Sequence, residues 1–428
     1  MTSRHFFFVQ GNASHFYRRL GDGLVAAGHA VSRVNICGGD RVFWGGWNAT
    51  DYRGPATEFG EFLGLAYDRA GVTDIVLHND CRETHRAAIN AARARGLTVH
   101  VGEEGYLRPL WLTLERDGIN GYSRLPADPA WYRETARGIA PYAEHSDLGY
   151  GMELRVRYDF KWQAANYLYL PRYPNYRTHR PYPIWAEYAT WAGRLAARRR
   201  RAAEATRIVA DLMGGARPFF VFALQLDTDS QIRVHSPFRR LMNSIEAVVT
   251  DFALNAPTEA LLVIKNHPLD NGWINYRRRT RALARRLDVV DRVIFIDGGD
   301  LNQLMARAHG VINVNSTVGL TALQQGAPVI ALGRAVYDID GLTHQGRLAG
   351  FWTDPAPPNA GLLADFLAVL ADGAMIPGGF YTEDAVALAV AAAVGHMTRA
   401  DDPLDGFQPG HRTFNSRVTI ADRLDEAA

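Results

Sequence analysis

The stretch Val311–Gly333, VINVNSTVGLTALQQGAPVIALG, reads as a buried strand, a tight polar turn, a short helix and a second buried strand. Its apolar runs, bounded by Gly and Pro, suit parallel strands covered on both faces. Between them lie a polar turn, Asn315-Ser316-Thr317, and a short helical segment. The turn places two hydroxyls and the first unbonded N–H groups of a helix at the carboxyl end of a strand, where the helix dipole favours an anion. The same residues serve equally as an ordinary N-cap, for which Ser and Thr are preferred. The rest of the chain has to choose between these readings.

Upstream, strand and helix patterns alternate: Phe219–Leu224, a helix over Phe238–Leu254, Ala260–Lys265, a helix over Tyr276–Leu287, and Val293–Ile296. Downstream, Leu362–Leu370 and Ala385–Val394 have the pattern of terminal helices. The N-terminal part repeats the alternation. His5–Val9 runs into Gln10-Gly11-Asn12, and a helix with Leu20, Leu24 and Val25 closes at Gly28. Strands at Val31–Ile36 and Ile75–His78, a helix over Arg82–Arg95 and a strand Leu97–Val101 follow, the last entering Glu103-Glu104-Gly105. This order argues for parallel, doubly wound sheets. The intervening stretch is crowded with aromatics, among them Tyr167, Tyr169, Tyr173, Tyr176, Trp185 and Trp191, and ends in the basic run Arg198–Arg201. The expected architecture is α/β with two Rossmann-like domains, a cleft between them and a helical, aromatic-rich insertion. The expected boundaries are 1–148, an insertion or connector at 149–205, 206–400, and a loose polar tail at 401–428.

Composition narrows the function. The 428 residues allow two or three domains, and 47% hydrophobic content fills sizeable cores. With 47 Lys and Arg against 45 Asp and Glu, the net charge of +2 advertises no nucleic-acid partner. Cys37 and Cys81 are the only cysteines, which gives no disulfide framework and fits a reducing compartment. The N-terminal apolar run is too short for a signal peptide, and no stretch approaches the roughly 18 apolar residues of a membrane span. A cytoplasmic protein is expected, with any membrane contact peripheral.

Four segments fall where a strand ends and the chain turns, the place where open α/β sheets hold ligands. Lys265-Asn266-His267-Pro268 offers a cation and an imidazole for a nucleotide, or a surface Lys beside a turn-capping His. Asn315-Ser316-Thr317 is the anion turn. Gln225 to Gln231 carries Asp227 and Asp229, which suit a metal pair, an acid/base pair or a solvated turn. Glu103-Glu104-Gly105-Tyr106-Leu107-Arg108 sets adjacent carboxylates at a strand end, a costly place for like charges unless chemistry uses them. Its bland alternative is a solvated loop with Arg108 as charge partner.

In this order the segments resemble the E-D/E-G-[FY]-x-R, Q-x-x-x-D-x-x-I, K-x-H-P and [NT]-S-[TS]-x-G-x-x-A-L motifs of bacterial capsular polysaccharide Kdo transferases, the KpsS/KpsC group. They stand here as Glu103–Arg108, Gln225–Ile232, Lys265–Pro268 and Asn315–Leu323. Gly333–Tyr337 and Gly341–Thr343 also match, while Phe8–Gly11 and Gly38–Asp40 look more like the KpsS branch. The resemblance covers roughly residues 5–345. It implies a GT-B-like, retaining glycosyltransferase that moves β-Kdo from CMP-β-Kdo to a phosphatidylglycerol-type lipid or lipid-linked acceptor at the inner membrane, with capsule assembly proteins as further partners. Carried over by position, Asp229 is the nucleophile, and Glu104, with Glu103 second, the acid/base. Gln225, Lys265, His267, Pro268, Asn315, Ser316 and Thr317 bind the donor; Gln10, Gly11, Asp40 and Arg108 lie on the acceptor side. This chain has Glu104 where one branch carries Asp, and the extra methylene displaces the carboxylate. CMP leaves as a stable monoester, so no metal or other cofactor is called for, and no ligand-spaced His/Cys/carboxylate cluster occurs. A non-catalytic assembly subunit, or a transferase for another CMP-ulosonic acid such as a sialic acid, shares these features.

Overall fold

The computed structural model describes residues 3–144, 148–178, 184–400, 402–407 and 417–418. The chain divides into two units, one built from Met1–Pro126, Thr135–His179 and Leu367–His411, the other from Ala127–Glu134, Arg180–Phe366 and Arg412–Ala428.

In the first unit, β1 (His5–Phe8), β2 (Ala30–Asn35), β3 (Ala49–Asp51), β4 (Asp74–His78) and β5 (Thr98–Glu104) are parallel, and β6 (Trp111–Arg116) runs antiparallel to β5. The order β3-β2-β1-β4-β5-β6 puts β1 between β2 and β4, so the strand order reverses there. The run HFFFV is apolar throughout because both faces are covered. Phe6 and Phe8 pack into one core with Leu20 and Leu24, while Phe7 and Val9 pack into the other with Leu63 and Ile89. Each such ring contributes roughly 1.5–3 kcal/mol of burial.

The second unit repeats the plan. Strands β7 (Phe219–Ala223), β8 (Leu261–Lys265), β9 (Val293–Ile296), β10 (Gly310–Asn313) and β11 (Val329–Ala331) form an all-parallel sheet, order β11-β10-β7-β8-β9. The fold is therefore α/β with two Rossmann-like sheets, and the Val311–Gly333 segment forms strand, turn, helix (Thr317–Gln324) and strand as expected.

The domain boundaries differ from the expectation in three places. A last strand, β12 (Met375–Pro377), pairs antiparallel with β6, and the helix Glu383–Thr398 buries Ala389, Ala393 and Met397 against the core beneath β1. The segment Leu367–His411 thus returns to the first unit, because the edge of β6 needs a partner and the helix Phe16–Ala26 needs cover. The 149–205 stretch is not one connector. Helix Met152–Leu168 belongs to the first unit, with Trp162 packed on Phe43 and Cys37; helix Ile184–Gly214 belongs to the second, burying Ala205, Val209 and Leu212 beside Phe219 and Val221. Nor is the described part of the tail loose. Asp402 is buried against Arg124, and Arg417 pairs with Asp338 at 2.9 Å.

Candidate functional site

The second unit gathers its sequence-predicted residues at the carboxyl ends of β7, β8 and β10. Gln225, just past β7, is buried; its Oε1 accepts from the Asn315 N–H at 2.9 Å and its Nε2 donates to the Asn315 carbonyl at 3.1 Å. The two strand ends that flank the reversal of order are tied by one side chain. Asn315 extends the tie, its Nδ2 donating to Gln231 Oε1 at 2.5 Å and to the Arg334 carbonyl at 3.2 Å.

The turn divides its labour. The Ser316 Oγ accepts from the Val318 N–H at 3.2 Å, the ordinary N-cap role. The Thr317 hydroxyl is half-buried and makes no hydrogen bond to a described residue, and the Thr317 N–H occupies a position with no intrahelical partner. The anion reading therefore rests on Thr317 more than on Ser316. Two residues outside the predicted set hold the turn. Asn313 Oδ1 accepts from the Ser316 N–H at 2.9 Å, and Tyr337 donates to Asn313 Oδ1 at 2.8 Å or to the Ser316 carbonyl at 2.6 Å. A Cβ on Gly319 would lie 2.2 Å from the Tyr337 hydroxyl, so the motif glycine and the later motif tyrosine are one packing unit. Burial holds the Tyr337 phenol well above its usual range.

Lys265 ends β8 and is buried, and its ammonium makes no hydrogen bond or ion pair within 4 Å to a described residue. Burial pulls its pKa down, against the pull of Asp297 and Asp300. His267 is half-buried and accepts from the Leu269 N–H through Nδ1 at 3.0 Å, which leaves Nε2 to carry the proton of the neutral ring. Pro268 is exposed. Below them Asn266 bonds Asp270 and Asp297, and these carboxylates take Arg194 at 3.0 and 2.8 Å; Arg201 reaches Asp297 at 2.7 Å. Arg201 of the basic run is thus spent on an ion pair, while Arg199 and Arg200 are exposed.

Asp227 and Asp229 both cap helices. Asp227 accepts from the Leu241 N–H at 2.8 Å and pairs with Arg233, so neither of its oxygens is idle. Asp229 Oδ1 accepts from the Gln231 N–H at 2.9 Å, while Oδ2 lies 3.4 Å from Gln225 Nε2.

In the first unit, Glu103 and Glu104 lie on β5, not in a loop after it, opposite Thr113 and Leu112 of β6. Successive side chains on a strand point to opposite faces. Glu103 accepts from Asn79 Nδ2 at 2.9 Å and Asn120 Nδ2 at 2.8 Å, whereas Glu104 meets Arg155 at 3.3 Å and the Tyr150 hydroxyl at 3.5 Å. They are not a like-charge pair, and they do not share one reacting group. Behind Glu103, the Asn120 N–H bonds the Tyr106 hydroxyl, which donates to the buried Glu115; Ser123 donates to its other oxygen. Burial raises Glu115 to about 7. Arg108 is exposed and pairs with no described carboxylate, so it is not a charge partner to the two glutamates.

Asp40 is a correction to the acceptor set. Fully buried, it takes Arg33 at 2.6 Å and the Ile36 N–H at 3.0 Å, which closes it to a ligand. Its two preceding glycines allow close helix contact: a Cβ on Gly38 would lie 2.1 Å from the Ala165 carbonyl, and one on Gly39 2.3 Å from Trp162. Gly11 likewise makes room for Tyr17, whose ring would be 2.7 Å from an added Cβ. Gln10 is buried but lines a cavity, with Arg82 Nη1 donating to its Oε1 at 2.6 Å. In the aromatic stretch, Tyr173 and Trp162 are core residues, whereas Val156, Phe160 and Tyr167 on helix Met152–Leu168 are more than 60% exposed. The side chains of Trp185 and Trp191 lie outside what the structure describes. Among the described residues no helix is long and apolar enough to cross a membrane.

The family model described as capsule polysaccharide biosynthesis protein matches residues 73–381. The chain belongs to this capsule polysaccharide biosynthesis family. The capsule polysaccharide export protein KpsS of Escherichia coli is 30% identical over 371 residues, 86% of this chain and 95% of that one. The capsule polysaccharide modification protein LipB of Neisseria meningitidis serogroup A is 30% identical over 388 residues, 89% and 93% of the two chains. Among solved structures, Thermosulfurimonas dismutans KpsC, beta Kdo 2,7 transferase, covers 92% of this family member and is itself covered to 98%, at 13% identity and a TM-score of 0.46.

Proposed function

We propose that this protein is a glycosyltransferase of capsule polysaccharide biosynthesis that transfers Kdo from CMP-β-Kdo to a lipid or lipid-linked acceptor with retention. The observation that carries the reading is the buried Lys265 ammonium, which has no ion pair within 4 Å to a described residue, on the unit whose Gln225–Asn315 tie orients the Thr317 helix terminus at the strand-order reversal. Desolvation outweighs the pull of Asp297 and Asp300 on this cation, and an anionic ligand in direct contact relieves that cost. The family membership supplies the capsule setting.

In this reading Lys265 and Thr317 take the CMP phosphate, and the Nε2–H of His267 reaches an acceptor atom of the nucleotide. Asp229 attacks the anomeric carbon, CMP departs with its electron pair, and the acceptor oxygen then displaces the carboxylate, its proton passing to a general base, the role the family resemblance gives Glu104. Two displacements restore the original configuration. The lipid acceptor is supported by the exposed apolar positions Val156, Phe160 and Tyr167, which suit peripheral contact with the inner face of a membrane. A metal has no step to perform.

The test is ligand-induced thermal stabilisation. CMP is expected to stabilise the protein while UDP and GDP do not, and His267→Ala to abolish the shift. Equal stabilisation by UDP contradicts the CMP assignment.

A further inference from the structure

A cavity of about 180 Å³ opens in the first unit, away from every carboxylate assigned above to chemistry. It sits at the carboxyl ends of β1 and β4, where the order of that sheet reverses, the position that holds ligands in open α/β sheets. Its inner wall is Gln10 and Arg82, with Tyr176 beside them; Arg53 and Arg177 stand on the rim, with Glu83 the lone acidic lining residue.

The charges do not balance. Arg82 is half-buried, yet its one hydrogen bond goes to the neutral Gln10 Oε1 at 2.6 Å, leaving four of its five donors without a described partner. No described carboxylate lies within ion-pair distance of Arg82, Arg53 or Arg177. The nearby acids are spent elsewhere: Asp40 on Arg33, and Asp51 on Arg41, Arg172 and the Tyr173 hydroxyl. A half-buried guanidinium with an unfilled fork presents its free donors to an acceptor-rich group that enters the cavity.

We propose that this cavity binds the phosphate of a phosphate ester, with Arg82 as the central bidentate contact and Arg53 and Arg177 as the rim cations. Phosphate matches the guanidinium fork and supplies the missing acceptors, and the remaining space beside Tyr176 takes the first atoms of the esterified alcohol. The proposed site rests on the transferase reading only on its acceptor side, to which Gln10 was assigned, and it is separable from the donor assignment, whose residues all lie in the second unit.

The full chain is tested with sn-glycerol 3-phosphate and inorganic phosphate as probes and glycerol as control, by thermal shift and calorimetry. The phosphates stabilise the protein and glycerol does not. Arg82→Gln abolishes the shift, Arg53→Gln weakens binding, and Glu83→Gln tightens it about two- to fivefold. Added salt weakens every phosphate affinity. The CMP response of the second unit is unchanged throughout, which separates failure here from failure of the donor assignment. A parallel arm measures co-sedimentation with phosphatidylcholine vesicles with and without phosphatidylglycerol. Arg82-dependent retention on the latter assigns the phosphate to a lipid headgroup; an Arg82-dependent response to the soluble ester alone assigns it to a soluble phosphate ester. If Arg82→Gln does not fold, the opposite shifts of the exposed Arg53 and Glu83 variants decide. Absence of any phosphate response in both arms, or wild-type affinity in the Arg53 and Glu83 variants, overturns the proposal.

Discussion

The side-chain amide of Gln225 bonds both backbone groups of Asn315, N–H and carbonyl, across 90 residues of sequence. It continues the β7–β10 pairing for one step beyond the last strand residues, where both chains turn toward ligand-binding loops. Gln225→Ala leaves a buried N–H and a buried carbonyl unmade and is expected to lower stability by about 1–3 kcal/mol. It also frees the Ser316-Thr317 turn, so CMP stabilisation is expected to fall with it. Denaturant unfolding with and without CMP checks both. A stable variant with intact CMP response removes the tie from the account.

Lys265→Met separates a ligand-binding cation from a structural one. The ammonium has no ion pair within 4 Å to a described residue and its desolvation outweighs the pull of Asp297 and Asp300, so replacing it with an apolar chain of similar length removes a net cost. The expected result is unchanged or higher stability, by up to about 1 kcal/mol, with CMP binding lost. Loss of stability together with CMP binding assigns Lys265 to the scaffold.

The glutamates of β5 are expected to fail differently. Glu103 is held by two asparagine amides, and Glu103→Gln sets a donor against donors, costing about 1–2 kcal/mol. Glu104→Gln loses only a half-exposed contact with Arg155 and is expected to keep its stability while losing transfer. Melting curves and turnover on the two variants check the split. The reverse pattern moves the acid/base role to Glu103.

Glu115 supplies a pH signature. Its carboxyl is raised from the ordinary 4.5 to about 7 by burial, with Tyr106 and Ser123 donating to it and Arg124 and Asp80 the charges acting on it. The folded protein therefore holds a proton that the unfolded chain releases, and stability falls as pH rises from 4.5 to about 7, then levels off. Glu115→Gln is expected to lack this component, which amounts to a few kcal/mol. Parallel stability-against-pH curves for the two proteins place the carboxyl elsewhere.

Much of the parallel architecture was legible because strands covered on both faces are nearly continuous apolar runs: HFFF, FFVFA, LLVIK and GVIN all became strands. Strand β6 escaped although WLTLER alternates, and β12 is three residues long and pairs with a strand far back in the chain. Those two omissions misplaced both the C-terminal boundary and the glutamates, since pairing with β6 is what extends β5 through Glu104. The site segments were legible as polar residues after apolar strands. Their internal roles were not. That Asp40 faces Arg33, or that Gly319 makes room for Tyr337, depends on contacts between segments that local pattern does not encode.

Incubating the protein with CMP-β-Kdo and a phosphatidylglycerol-type lipid, and weighing the lipid by mass spectrometry, separates a transferase from a binding subunit. Lipid carrying Kdo, with stoichiometric CMP release, is the expected product. Asp229→Ala is predicted to release none while still being stabilised by CMP. An Asp229→Ala protein that transfers Kdo at the wild-type rate, or a wild-type protein that releases no CMP, contradicts the proposed function.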